Sequence, residues 1–276
     1  MISWSASTRR LPLRRPAILA ALTWLVLITL GAMLVPLFAP GGPLVADSTR
    51  VLLPPGAGNL LGTDFLGRDI LARLLWGGRW TLWMGTVALA LAVGLGLPVG
   101  LAAGSLGGRT DAVLMRLVDA LLAFPGLLMA MVAVAALGTG LASVATAVGL
   151  AAAFPYARVA RSVALEVRGQ PYVEAARSVG CSPWRIAVRH ILPNAAPSLI
   201  AFAATQLGWV LLSGAALNFL GLGVPPGTPE WGVMLADGRG YLRDAPWASL
   251  FPGLALTLTV LAANLVGDGL QEALQP

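Results

Sequence analysis

The chain has 276 residues, 57% of them hydrophobic and only 11% charged, with a formal net charge of +6. That balance excludes a soluble globular domain, and its basic excess reads as membrane topology rather than as a nucleic-acid footprint. One cysteine, Cys181, excludes an intrachain disulfide, and one histidine, His190, leaves no His-rich metal cluster to build.

Charge-free runs cover residues 16–46, 80–108, 120–157, 191–229 and 245–267. About 20 apolar residues cross a hydrocarbon core of ~30 Å. The third run is too long for one crossing, and Gly138-Thr139-Gly140 offers a turn that divides it. The sequence therefore predicts an all-α polytopic membrane protein with six transmembrane helices.

Residues 1–15 form a tail with Arg9-Arg10 and Arg14-Arg15, and residues 16–38 form the first span. This run is longer than the apolar core of a signal peptide, no small-x-small cleavage site closes it, and Arg9-Arg10 lacks twin-arginine surroundings. An uncleaved span is expected. Residues 39–79 read as an external loop carrying an amphipathic interfacial helix over 61–75. Leu66, Ile70 and Leu74 make its apolar stripe, while Arg68, Asp69 and Arg73 face elsewhere. Asp64 and Asp69 are too few carboxylates for a calcium cage.

Residues 80–276 then form a core of five spans. The span from about 81 to 104 carries small residues at 88, 92, 96, 100 and 104, a spacing that lets a neighbouring helix approach closely. The next runs from about 112 to 137, with Asp119 near one end and expected to pair with Arg116. The fourth, from about 141 to 159, leads into a charged island, 162–194. A fifth begins near Ala196 and carries Thr205, Gln206, Ser213 and Asn218, which either glue helices together or line a translocation path. The sixth covers about 249–266.

The island is the most specific stretch. Pro171 suits the first turn of a helix and Gly180 the left-handed position just past its end. Ser182 can cap a second helix with Pro183 in its first turn, ending before Pro193. On that helix Trp184, Val188 and Ile191 are expected to share a face, beside a basic stripe of Arg185 and Arg189. Without a partner, such a helix pair would rest on anionic lipid headgroups. Counting arginines by alternate loops gives 12 on the island's side and 6 opposite, which by the positive-inside rule places the island and both termini in the cytoplasm.

This elbow resembles the EAA loop of ABC importer permeases. Glu174-Ala175-Ala176, Gly180 and Leu192-Pro193 fall at the family spacing, although His190 stands where the pattern has isoleucine and Ile191 lies beside it. Three further stretches resemble the C-type subunit of the dipeptide/oligopeptide/nickel permease family. They are Leu61-Gly62-Thr63-Asp64 with Gly67-Arg68-Asp69, Asn218 to Gly223, and Glu230 to Met234.

The resemblance implies a type I ABC importer permease of the inner membrane. Its partners would be a second homologous permease subunit, cytoplasmic ATP-binding subunits, an external solute-binding protein and membrane lipid, with no nucleic acid. It implies coupling to the ATPase through Glu174, Ala175, Ala176, Gly180, Trp184, Arg185, Leu192 and Pro193, with di- or oligopeptides as cargo and nickel or a metal chelate as the alternative. The chain has no phosphate-cradling Gly-x-x-x-x-Gly-Lys loop and no lysine to place in one, so ATP and magnesium are expected only in partner subunits. No catalytic or metal-ligating set is expected here; a membrane-embedded enzyme or a lone channel is the remote alternative.

Overall fold

A computed structural model describes residues 16–38 and 42–274; the tail at 1–15, with its four arginines, lies outside the described residues. The described chain is helical, with two isolated bridges in the loop before the second long helix. The helices are α1 (Pro16–Phe38), α2 (Ile70–Leu106), α3 (Gly108–Leu122), α4 (Gly126–Leu137), α5 (Leu141–Arg168), α6 (Pro171–Ser178), α7 (Pro183–Ile186), α8 (Leu192–Phe219), α9 (Trp231–Gly238) and α10 (Trp247–Leu274). Five are long and apolar enough to cross a membrane when α7 and α8 count as one helix, and six if the pair α3 and α4 counts as one broken span.

The core is a parallel packing of α2 on α5. The small-residue stripe of α2 meets alanines and glycine on α5 in register, Ala88 by Gly149, Gly96 by Ala153 and Gly104 by Ala164. A side chain on Gly149 would fall 2.7 Å from the Ala88 carbonyl oxygen, and one on Gly100 would strike Ala157 and Ala160. Small residues let the two backbones meet, as the spacing predicts. Helix α8 packs against α5 and α10, and α1 lies outermost against α10 and α2. Trp24 Nε1 of α1 donates to Thr259 Oγ1 of α10 at 3.0 Å.

Three expectations are corrected. The interfacial helix over 61–75 is absent: Gly62 and Gly67 take φ of +80° and +72°, which a right-handed helix does not allow. Residues 61–69 instead wind into turns, and Asp69 accepts from the Ala72 amide at 2.8 Å to start α2, which continues to Leu106 without a break between loop and span. The third span is bent by 88° between α3 and α4. Pro125 supplies no amide there, and neither piece alone reaches ~30 Å at ~1.5 Å per residue. Finally, Asp119 pairs with Arg158 of α5, not with Arg116. The turn expected at Gly138-Thr139-Gly140 is present, with both glycines at positive φ.

Candidate functional site

The elbow forms where α5 ends. Helix α6 starts at Pro171 and finishes in paired reversed bonds, the Cys181 amide donating to the Ala176 carbonyl at 3.1 Å and the Gly180 amide to Arg177 at 3.0 Å. This closure needs a left-handed residue, and Gly180 supplies φ of +82°. A side chain there would meet nothing within 4 Å, so the demand for glycine comes from the backbone alone. Ser182 Oγ then accepts from the Arg185 amide at 3.4 Å to start α7.

The second helix does not stop before Pro193. A π-helical turn, Ala187–Ile191, joins α7 to α8, with the Leu192 amide bonded to the Ala187 carbonyl five residues back. A wider turn relieves the clash that Pro193 would otherwise make with the carbonyl four residues earlier. Residues 183–219 therefore act as one helix of 37 residues, a lever of roughly 55 Å. The same turn rotates the helix faces, so Trp184, Val188 and Ile191 do not share one. Ile191 is fully buried, whereas Trp184 is 76% and Val188 39% exposed.

The inward residues Val173, Ile186 and Ile191 pack on Ala160, Ala164 and Val167 of α5 and on Ala195 and Leu199 of α8. Ala176 is buried as well, leaving Glu174, Ala175, Val179, Gly180, Trp184 and Arg185 outward. Leu192 is half-buried and Pro193 exposed. Two of the three EAA residues thus face outward while the third anchors the helix.

The polar residues of α8 do not converge. Thr205 Oγ1 donates to its own helix at Phe202 (2.9 Å), and Gln206 Nε2 reaches the Ala152 carbonyl of α5 at 3.4 Å. Ser213 is buried. Asn218, 1% exposed, accepts from the Val224 amide at 3.2 Å and fixes the turn after α8. From 205 to 218 they spread over roughly 20 Å of helix.

At the opposite end of the bundle the structure gathers charges that sequence reasoning left to solvent. Asp64 accepts from the amides of Leu66 (2.8 Å) and Arg68 (2.9 Å), from Arg68 Nε (2.7 Å) and from Arg73. Arg73 also lies 3.4 Å from Asp237 and donates to the Gly227 carbonyl at 3.0 Å. Burial pushes the Asp64 carboxyl up, but the Arg68 amide, the Arg73 charge and the Leu66 amide outweigh it and hold it below its usual range. Burial raises Asp237, partly offset by Arg73.

Beside this network Glu230, fully buried, accepts from Thr81 Oγ1 at 2.9 Å and from the Val233 amide at 3.0 Å, and so starts α9. Burial pushes its carboxyl up. Trp231 Nε1 donates to the Leu74 carbonyl at 2.8 Å. The first and third of the stretches that resemble the peptide-permease family therefore meet, with Asp64 and Met234 lining one cavity, and Asn218 of the second reaches Glu230. Opposite charges within and beside them, Asp64, Arg68, Arg73, Glu230 and Asp237, in a chain so poor in charge, were the available signal.

The family model of the binding-protein-dependent transport system inner membrane component matches residues 96–276. A glutathione transport system permease protein of Pectobacterium atrosepticum is 39% identical, covering 99% of this chain and 91% of its own. A di/tripeptide transport system permease protein of Pseudomonas aeruginosa is 40% identical, covering 94% and 87%. Among solved structures, a chain of an inward-facing methionine ABC transporter superposes with a TM-score of 0.62 at 22% identity, over 74% of this chain and 97% of that one. This last likeness concerns the fold.

Proposed function

The chain belongs to the family of binding-protein-dependent transport system inner membrane components, and from that premise we propose that it works as the membrane-crossing subunit of an ATP-driven importer of di- or oligopeptides. The permeases it is similar to are named for glutathione and for di- and tripeptides, which favours peptides over nickel. They are transport permeases rather than enzymes, and the chain is a multi-pass membrane protein of that kind. Its partners in this reading are a second related permease, ATP-binding subunits that hold ATP and magnesium, and an external binding protein. The elbow and both termini lie in the cytoplasm, consistent with the 12-to-6 arginine split.

One observation carries the coupling role: Trp184 and Arg185, on the outward face of the elbow, sit on a short helix that is continuous with α8. Glu174, Ala175, Trp184 and Arg185 point away from the bundle, and nothing within the described residues covers Trp184. An ATPase gripping this face would turn the lever of residues 183–219 as a unit. The side of the elbow that joins α5 yields instead, through the residues around Gly180. Closure of the ATPase then tilts α8 against α5 and α10 and switches access. Leu192 and Pro193 sit at the π-turn where the lever passes from elbow to span.

Gly180→Val tests this. A β-branched residue at φ of +82° carries about 1–2 kcal/mol of backbone strain or more, and with open space around the position the strain is relieved by changing the elbow angle. The variant should insert and keep its helical content, yet lose ATP-driven peptide uptake when reconstituted with ATPase and binding protein. Gly180→Asn, which tolerates the left-handed region, should retain most uptake. Normal uptake by the valine variant would remove the coupling role of Gly180.

A further inference from the structure

Two clefts at the elbow end share a wall. The first, about 200 Å³, lies between the ends of α2 and α5 and the elbow, and is lined by Ser105, Arg168, Arg177 and Cys181 among others. The second, about 350 Å³, is walled by Leu97, Leu101 and Ala102 of α2 and by Trp184, Val188 and Leu192 of the lever. Ser105, Leu106 and Pro183 line both, so the basic cleft opens into the apolar groove.

The charge in the first cleft has no ion-paired counterpart; the Asp111 carboxylate, held by Arg161, feels Arg168 only at longer range. Arg158 and Arg161, earlier on α5, are ion-paired to Asp119 and Asp111. Arg168 instead donates only to the Gly104 carbonyl at 3.2 Å, and among the described residues neither it nor Arg177 has a carboxylate within ion-pair distance. Two arginines beside a serine fit a phosphate. The groove leading from them runs along α2, a membrane-crossing helix, toward the hydrocarbon. A soluble partner could reach the arginines but would have to push apolar residues into the bilayer to fill the groove.

We propose that this composite cleft holds one anionic phospholipid, its phosphate between Arg168 and Arg177 and one acyl chain between α2 and the lever. Basic pockets between membrane helices at the polar surface recognise lipid headgroups in this way. The lipid braces the elbow against the end of α2, making the lever's position sensitive to the lipid composition of that leaflet. The inference requires the elbow to lie at a membrane surface and does not depend on the docking of an ATPase.

The test is native mass spectrometry of the full chain, alone and assembled with its ATPase, after exchange with phosphatidylglycerol or phosphatidylcholine of identical acyl chains. Wild type should retain phosphatidylglycerol about thirtyfold better, the order expected for two arginines near a headgroup. Arg168→Gln/Arg177→Gln should bring that preference near parity, and Arg168→Lys/Arg177→Lys should keep it. Ala102→Trp, which fills the groove from α2, should lower retention of both lipids. Should the double glutamine variant lose helical content, Arg177→Gln alone, at an exposed position, should still lower the preference severalfold. Equal retention of the two lipids by wild type would overturn the proposal, as would an unchanged preference in the glutamine variants. Complete displacement by inorganic phosphate would make the cleft a free-anion site, and loss of lipid whenever the ATPase assembles would make it part of a protein interface; either result overturns the lipid assignment.

Discussion

The two ends of the bundle use the same kinds of side chain in opposite ways. At the elbow, Glu174, Arg177 and Arg185 are exposed, and the nearby pair of Asp119 and Arg158 is more than half exposed. At the far end Asp64, Arg68 and Arg73 are at most 5% exposed, and Asp237 completes their pairing. Exposed charges tolerate many arrangements because water replaces a lost partner. Buried ones tolerate the single arrangement that satisfies them, so the far end fixes the loop before α2 and the loop around α9 to one another. The difference makes one end stiff and leaves the charges of the other free to change partners.

The largest effect should come from breaking the buried network. Arg73→Ala leaves Asp64 and Asp237 facing each other with one arginine between them, and removing one partner of a buried ion pair costs about 3–5 kcal/mol. The variant should unfold at markedly lower temperature or denaturant concentration in detergent. Arg185→Ala, at the exposed elbow, should change stability by no more than about 0.5 kcal/mol. Similar losses for the two arginines would erase the contrast between the ends.

A smaller, pH-dependent effect separates two carboxylates within the far end. Glu230 has its folded pKa raised, so its ionisation opposes folding. Its favourable contribution is complete below the ordinary carboxylate pKa and is lost as pH rises through the raised value. Asp64 has its folded pKa lowered, so its contribution is present above the ordinary pKa and is lost as pH falls through the lowered value. Unfolding measured across that range should show wild type losing stability relative to Glu230→Gln as pH rises, and gaining it relative to Asp64→Asn. A Glu230→Gln curve parallel to that of wild type would mean that Glu230 is solvated as freely as a surface carboxylate.

Much of the fold was legible in the sequence because membrane spans and small-residue packing leave local signals. The stripe from Ala88 to Gly104 announced its close neighbour, and Pro171, Gly180 and Ser182 announced the elbow's turn and caps. What escaped was non-local. The stripe of Leu66, Ile70 and Leu74 suggested a helix with Arg73 outside, but positive φ at Gly62 and Gly67 broke it, and Asp237, distant in sequence, drew Arg73 inward. The π-turn before Pro193 was equally hidden, since a proline is accommodated by ending a helix as readily as by widening one; it separated Ile191 from the face of Trp184 that heptad-like spacing had given it. Thr205, Gln206, Ser213 and Asn218 looked alike as polar residues in a span, and their different partners depend on which helix lies opposite each.

The smallest effect belongs to the pair of Asp119 and Arg158. The two side chains are 57% and 54% exposed and hydrogen-bonded, and they join α3 to α5 beside the elbow. Such a pair gains little in water, because each ion exchanges a hydration shell for one neighbour and both long side chains lose freedom; measured values fall at about 0.2–1 kcal/mol. Asp111 and Arg161 make the instructive comparison on the same two helices, with both guanidinium contacts in place at 2.5 and 2.7 Å and less exposure, 18% and 32%. Asp111→Asn should therefore destabilise more than Asp119→Asn, and Asp119→Asn should lose its small effect in molar salt, where the screening length falls to about 3 Å. Unfolding of both variants at low and high salt checks the order. A larger loss from Asp119 that persisted in salt would mean that the elbow end, too, is held by a charge it cannot do without.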